Sequence, residues 1–146
     1  VYDFRKTTSM HLKATCAPHY YRIMRQRARE EGVSVTPATF GMDAMTRGCL
    51  GGTGFCFISH VGQVQPGGYL TLDCGNVRTT PFPEIWRKSK PFLQFRDQSE
   101  YKGKCGVCEF HKVCGGCRAR AWSMDGDYMG EEPLCTYQPR KAKEAE

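Results

Sequence analysis

The sequence predicts an α+β fold on three observations. A strand-then-helix order opens the chain at residues 11–31, and a β-hairpin pattern follows near residues 55–65. Short proline-begun helices then lead into a dense run of cysteines at residues 105–117. Its 146 residues match one domain of ordinary size, since domains cluster at roughly 100–150 residues. With 40% hydrophobic residues the chain can bury a core and is no disordered tail.

The elements follow in order. His11–Thr15 reads as a short strand. Pro18 sits where a first helical turn tolerates it, and Tyr20, Ile23, Met24 and Arg27 follow at spacings of three and four. Gly32 then supplies a stop, so Pro18–Glu31 reads as a helix. Together these form a βα unit, with an isolated packed helix as the alternative. Phe55–Ser59 is rich in strand formers, His60–Gln63 is a turn candidate, and Val64–Gln65 resumes before Pro66-Gly67-Gly68 breaks the pattern. Pro83–Ser89 and Pro91–Asp97 read as short helices carrying Ile85, Trp86, Phe92, Leu93 and Phe95. A last helix covers Arg118–Met124 and ends at Asp125-Gly126-Asp127. Trp86, Trp122 and Tyr128 are expected in the core, and His60 in solvent.

Composition excludes several classes. Twenty-one Lys+Arg against 15 Asp+Glu give a net charge of +6, but the basic residues are scattered along the chain. That is the pattern of a solvated surface, so no nucleic-acid partner is expected. No apolar run approaches the roughly 20 residues of a membrane helix, so a soluble protein with no membrane partner is expected. The chain opens on Val1, and residues 1–11 lack the basic-then-apolar order of a secretory signal. It reads as a piece of a longer, cytoplasmic protein.

The nine cysteines are more telling. An odd number with no secretory signal argues against a disulfide framework. Cys105 and Cys108 form a Cys-x2-Cys pair; Cys114 follows after five residues, Cys117 after two more, and Cys135 after a further 17. Such a turn sets two thiolates on one side of a tight loop, and Gly106, Gly115 and Gly116 let the backbone turn sharply beside them. Three readings compete: a redox dithiol, a structural zinc site, and an iron–sulfur cluster. The last takes a compact loop of thiolates plus a distant one, which suits Cys105, Cys108, Cys114 and Cys135. Cys49, Cys56 and Cys117 form a second group that Cys74 or a non-protein ligand completes. Against this stands the reading of Cys56 and Cys74 as small buried apolar residues. Cys16 is read in that second way.

At this point the residues resemble a family. Cys49, a turn glycine at Gly62, Cys-x2-Cys-x5-Cys and a last distant cysteine are similar to the SPASM-type auxiliary iron–sulfur extension of radical SAM enzymes. The stretches at residues 13–21, 47–56, 75–78 and 114–120 resemble its haem-biosynthesis branch. That branch acts on iron porphyrins of the sirohaem-dependent alternative route and includes an oxidative decarboxylase of iron-coproporphyrin. The resemblance implies a division into residues 1–45, the last part of a partial α/β barrel; residues 46–139, a SPASM-like domain; and a charged tail at 140–146. The alternatives are a related tetrapyrrole-modifying or peptide-maturing radical SAM enzyme, or a zinc-stabilised interaction module. Two departures matter. The family has a cysteine directly after Pro66, where this chain has Gly67. Cys114 and Cys117 are separated by two residues where the family has three. The Cys-x3-Cys-x2-Cys loop of the SAM-cleaving 4Fe–4S cluster is not in this sequence, so the chain alone is expected to be inert.

The resemblance also implies a mechanism. Reductive cleavage of S-adenosyl-L-methionine gives a radical that abstracts hydrogen from a porphyrin propionate. The propionate then loses carbon dioxide and one electron, with a 4Fe–4S auxiliary cluster as a plausible acceptor and an electron-transfer protein as partner. Propionates call for guanidinium donors. Arg118 and Arg120 beside the cysteine loop are the first candidates, with Arg47 and Arg78 next. His19 and Tyr20, with Tyr21, open the first helix, where α/β folds gather ligands.

Overall fold

The structure, a computed structural model, describes residues 1–140. The predicted charged tail therefore lies outside the described residues except for Arg140. A 3₁₀ turn at Phe4–Thr7 leads to α1 (His19–Glu30), two short helices α2 (Pro37–Phe40) and α3 (Met42–Met45), and a three-stranded sheet. The strands are β1 (Phe57–Ile58), β2 (Gln63–Gln65) and β3 (Gly75–Asn76). Helices α4 (Phe82–Lys88), α5 (Lys90–Arg96), α6 (Gly103–Val107) and α7 (Arg118–Asp125) follow, with a 3₁₀ turn at Gln98–Glu100 between α5 and α6. No helix among the described residues is long and apolar enough to cross a membrane.

Helix α1 forms where the spacing predicts it. Tyr20, Tyr21, Met24 and Ala28 fall on one face and are buried against Tyr2 and Phe40. The expected strand at His11–Thr15 is absent: these residues have no ladder partner, so the βα unit reduces to its helix. A strand persists only while a neighbour takes up its backbone groups, and none among the described residues does so. The barrel assignment therefore gains no support from this segment.

The hairpin is present, with antiparallel register Phe57↔Gln65 and Ile58↔Val64. β2 also pairs with β3, through Gln63↔Asn76 and Val64↔Gly75, making Val64 the fully buried centre of the sheet. The two proline-begun helices form close to their predicted bounds and pack Ile85 and Phe92 under the sheet beside Val64 and Cys74. A third apolar cluster joins Leu70, Leu72 and Phe95, with Trp122 and Tyr128 against it. A fourth joins Tyr101, Cys105 and Met129. Four small clusters rather than one large core hold the described residues. The loops between them have little apolar cement of their own.

Candidate metal centre

Cys105, Cys108, Cys114 and Cys135 line one small hollow. α6 begins at Gly103 and carries Cys105 on its buried side, and Cys108 terminates it. The turn that follows, closed by the Cys114 amide donating to the Phe110 carbonyl (2.8 Å), returns Cys114 to the same hollow. Cys135 arrives from the far end of the chain on a turn in which its amide donates to the Glu132 carbonyl (3.2 Å). Burial raises the Cys108 thiol above its usual pKa and pushes Cys114 up to about 11. Neighbouring thiols of the same set add to both effects. Such crowded thiols ionise when a cation joins them, which links metal binding to proton release.

Donors already point at the sulfurs. The Arg118 guanidinium and the Glu132 amide each donate to Cys105 Sγ at 3.3 Å, and the Phe110 amide donates to Cys108 Sγ at 3.4 Å. These residues fit an iron–sulfur cluster, whose sulfurs are tuned by such N–H donors and by nearby positive charge. Among the described residues, no three Cys, His, Asp or Glu side chains meet closely enough to hold a single metal ion. The four thiols line the same hollow, and a multi-iron centre takes one thiolate per iron.

Arg118 is almost fully buried. It also donates to the Gly130 and Tyr128 carbonyls and lies over the Tyr101 ring at 4.7 Å. Arg120 makes a two-pronged pair with Glu132, Nε to Oε1 at 2.8 Å and Nη2 to Oε2 at 2.9 Å. Glu132 has no solvent exposure and accepts from the Cys117 and Leu134 amides as well. Burial alone would raise its pKa; the Arg120 pair and these amides outweigh that and hold it below the usual carboxylate range. Glu132 bridges the cysteine loop and the Cys135 segment. No sequence motif marks it.

Gly115 and Gly116 both adopt left-handed backbone, with φ of 67° and 63°. At Gly116 a Cβ would lie 2.6 Å from Arg118 Nη2 and 2.8 Å from Glu132 Cβ, so only glycine passes here. The consequence is a division of labour. Cys114 lines the small hollow, whereas Cys117, at the start of α7, lines a second and larger cavity of about 520 Å³.

Of the second predicted group, the structure brings Cys49 and Cys117 together on that larger cavity. It does not bring Cys56 and Cys74 there. They pack with Val64, Ile85 and Phe92 in the cluster under the sheet, where burial pushes the Cys74 thiol up to about 11. Their strand-side positions face the apolar core, which corrects their assignment to a shared set with Cys49. Cys16, expected to be buried, is exposed and lines the larger cavity.

The predicted substrate residues divide likewise. Arg47, Arg118 and Arg120 line the larger cavity, Arg47 with one nitrogen donating to Thr53 Oγ1 at 2.8 Å. His19 lines the small hollow instead, its Nε2 buried without a hydrogen-bond partner and 3.9 Å from Glu132 Oε2. Burial lowers its pKa. Tyr20 is buried and donates to Asp43 Oδ2 at 3.4 Å, and Arg78 is exposed at the hairpin turn, donating to the His60 carbonyl. Neither lines either cavity. Tyr21 does line the larger one.

Residues 49–118 match the SPASM iron–sulfur cluster-binding domain. The chain is 84% identical over 140 residues to an AdoMet-dependent heme synthase of Nitratidesulfovibrio vulgaris, covering 96% of this chain and 38% of that protein. It is 78% identical over 145 residues to an AdoMet-dependent heme synthase of Oleidesulfovibrio alaskensis, covering 99% of this chain and 37% of that protein. It is 57% identical over 140 residues to one from Methanosarcina barkeri, covering 96% and 40%. The chain thus spans about two fifths of the length of these relatives.

Proposed function

We propose that this chain, whose residues 49–118 match the SPASM iron–sulfur cluster-binding domain, is the auxiliary-cluster portion of an S-adenosylmethionine-dependent haem synthase. The observation that carries the reading is the convergence of Cys105, Cys108, Cys114 and Cys135 on one hollow, with Arg118 already donating to a sulfur. These four residues hold the cluster. When bound, it supplies a one-electron acceptor for the oxidative decarboxylation of iron-coproporphyrin propionates. S-adenosylmethionine and its own 4Fe–4S cluster are held by sequence outside this chain, and an electron-transfer protein takes the electron onward.

The chain's own residues have separate tasks in this scheme. The larger cavity lies in the size range of cofactor and ligand pockets, roughly 300–1,000 Å³. The rings of Phe55 and Tyr69 on its wall suit the face of a flat tetrapyrrole. Arg47 and Lys13, on the same wall, supply the positive charge that propionates require. Arg120, whose guanidinium is engaged by the Glu132 carboxylate, orients the backbone between the two cavities rather than gripping a propionate. Arg118 places its charge against Cys105 and favours the reduced, more negative state of the centre.

The test is elemental. Anaerobically prepared chain should be brown and contain iron and acid-labile sulfide, and Cys108→Ala should lower the iron by about four atoms per chain. Zinc without iron, or iron unchanged in the variant, would overturn the reading.

A further inference from the structure

Two donors on α1 stand in the small hollow without an acceptor. His19 and Arg22, about one helical turn apart, both line that hollow. His19 Nε2 and Arg22 Nε are buried with no hydrogen-bond partner among the described residues. A buried N–H left unpaired is costly and rare. Glu132 Oε2, 3.9 Å from His19 Nε2, cannot take the hydrogen. A carboxylate offers about four lone-pair positions. Four N–H groups already fill those of Glu132: Arg120 Nε and the Leu134 amide on Oε1, Arg120 Nη2 and the Cys117 amide on Oε2. The same anion assigns the tautomer, since a nitrogen lone pair turned toward a carboxylate is repelled; Nε2 therefore carries the hydrogen. Arg22 is engaged elsewhere. Its Nη1 donates to Gln26 Oε1 at 2.6 Å, and its guanidinium carbon lies 4.6 Å from the centre of the Tyr137 ring. Those contacts hold the side chain and leave Nε unengaged.

The acceptors gathered with these donors are sulfurs, since Cys105, Cys108, Cys114 and Cys135 line the same hollow. We propose that His19 Nε2 and Arg22 Nε donate hydrogen bonds to the sulfurs of the cluster these cysteines hold, which makes α1 a wall of the metal centre. This rests on the auxiliary-cluster reading above for the occupant, and it moves His19 from the substrate to the cluster. The N–H donors described earlier, from Phe110, Arg118 and Glu132, belong to the cysteine-rich end of the chain. His19 and Arg22 bring two more from far earlier in the sequence. Such bonds strengthen as sulfur gains negative charge, so each donor favours the reduced centre. Both are positioning residues that act through the sulfurs.

The experiment loads the full chain anaerobically with ferrous iron and sulfide. A potentiometric titration then follows, by electron paramagnetic resonance, the signal that Cys108→Ala removes. His19→Leu should keep its iron but show about tenfold less reduced cluster relative to oxidised at a fixed potential, equivalent to about 59 mV for one electron. His19→Gln presents an amide N–H near the same place and should behave like the wild type, a rescue that packing alone does not predict. Arg22→Lys keeps the charge, loses the Nε–H and should shift the ratio in the same direction as His19→Leu. With isotope-labelled histidine, electron–nuclear double resonance on the reduced cluster should show a histidine nitrogen in the wild type and lose it in His19→Gln. A coupling absent from the wild type, or kept in His19→Gln, would overturn the role of His19 even if His19→Leu failed to fold. An unchanged ratio at full iron in His19→Leu or in Arg22→Lys would overturn that residue's part while leaving the cluster standing. Iron absent from the wild type, or unaffected by Cys108→Ala, would sink the cluster reading and this proposal with it.

Discussion

Replacing Arg118 with methionine tests whether this buried cation sets the electron affinity of the metal centre. Its Nη2 lies 3.3 Å from Cys105 Sγ, so the cation would stand about 7 Å from charge spread over a cluster held there. At an effective dielectric of about 20, one unit charge at that distance changes the energy of adding an electron by about 2.4 kcal/mol, or roughly 100 mV for a one-electron couple. The direction is set by charge: losing a cation disfavours the more negative, reduced cluster. We expect Arg118→Met to lower the reduction potential by about 100 mV, and Arg118→Lys, which keeps the charge, by much less. The assay is a potentiometric titration followed by electron paramagnetic resonance, on variants that retain full iron. That condition matters because methionine also strands the Gly130 and Tyr128 carbonyls. A potential within about 30 mV of the wild type, or a higher one, would refute the assignment of charge control to Arg118.

Other consequences can be measured. Glu132→Gln leaves the Arg120 guanidinium without its anion. Breaking a buried pair costs about 3–5 kcal/mol, and because Arg120 is one-third exposed we expect about 2–3, read as a lower urea midpoint. Gly116→Ala should destabilise by at least about 2 kcal/mol, since the new methyl meets Arg118 and Glu132 on a left-handed backbone; a neutral result in the same assay would contradict the packing. Cys74→Ser should leave the iron content unchanged, as its thiol faces Ile85 and Phe92. Asp127 is held below the usual carboxylate pKa by Lys102, at 2.6 Å. Its contribution, small for so exposed a pair, is present at neutral pH and disappears as pH falls through the folded-state pKa. The stabilities of wild type and Asp127→Asn should therefore converge at acid pH.

What could be read from the chain had local causes. The hairpin at residues 57–65 follows from strand formers flanking a turn, and α4 and α5 from prolines at their first turns, so these elements sit where expected. The four-thiol set followed from loop spacing, and the structure brings those four together. What stayed hidden was decided by distant partners. β3 is Gly75–Asn76, two poor strand formers held in place only because Gln63 and Val64 of β2 offer them a ladder. Glu132 looks like any surface acid until the fold buries it beneath Arg120 and the Cys117 amide. The same holds for Cys16: its neighbours in sequence suggest an inert thiol, and only the approach of Gly48 to Pro18 shows that it shares a wall with Cys49.

The paired glycines at 115 and 116 have one more implication. Cys114 and Cys117 face different chambers, yet three residues of chain reach at most about 11 Å, so the partition between those chambers is a single turn thick. Charge delivered to either side would need to cross only that thin septum. An electron released by an occupant of the larger chamber would have only that one turn to cross before reaching the four thiols that line the other.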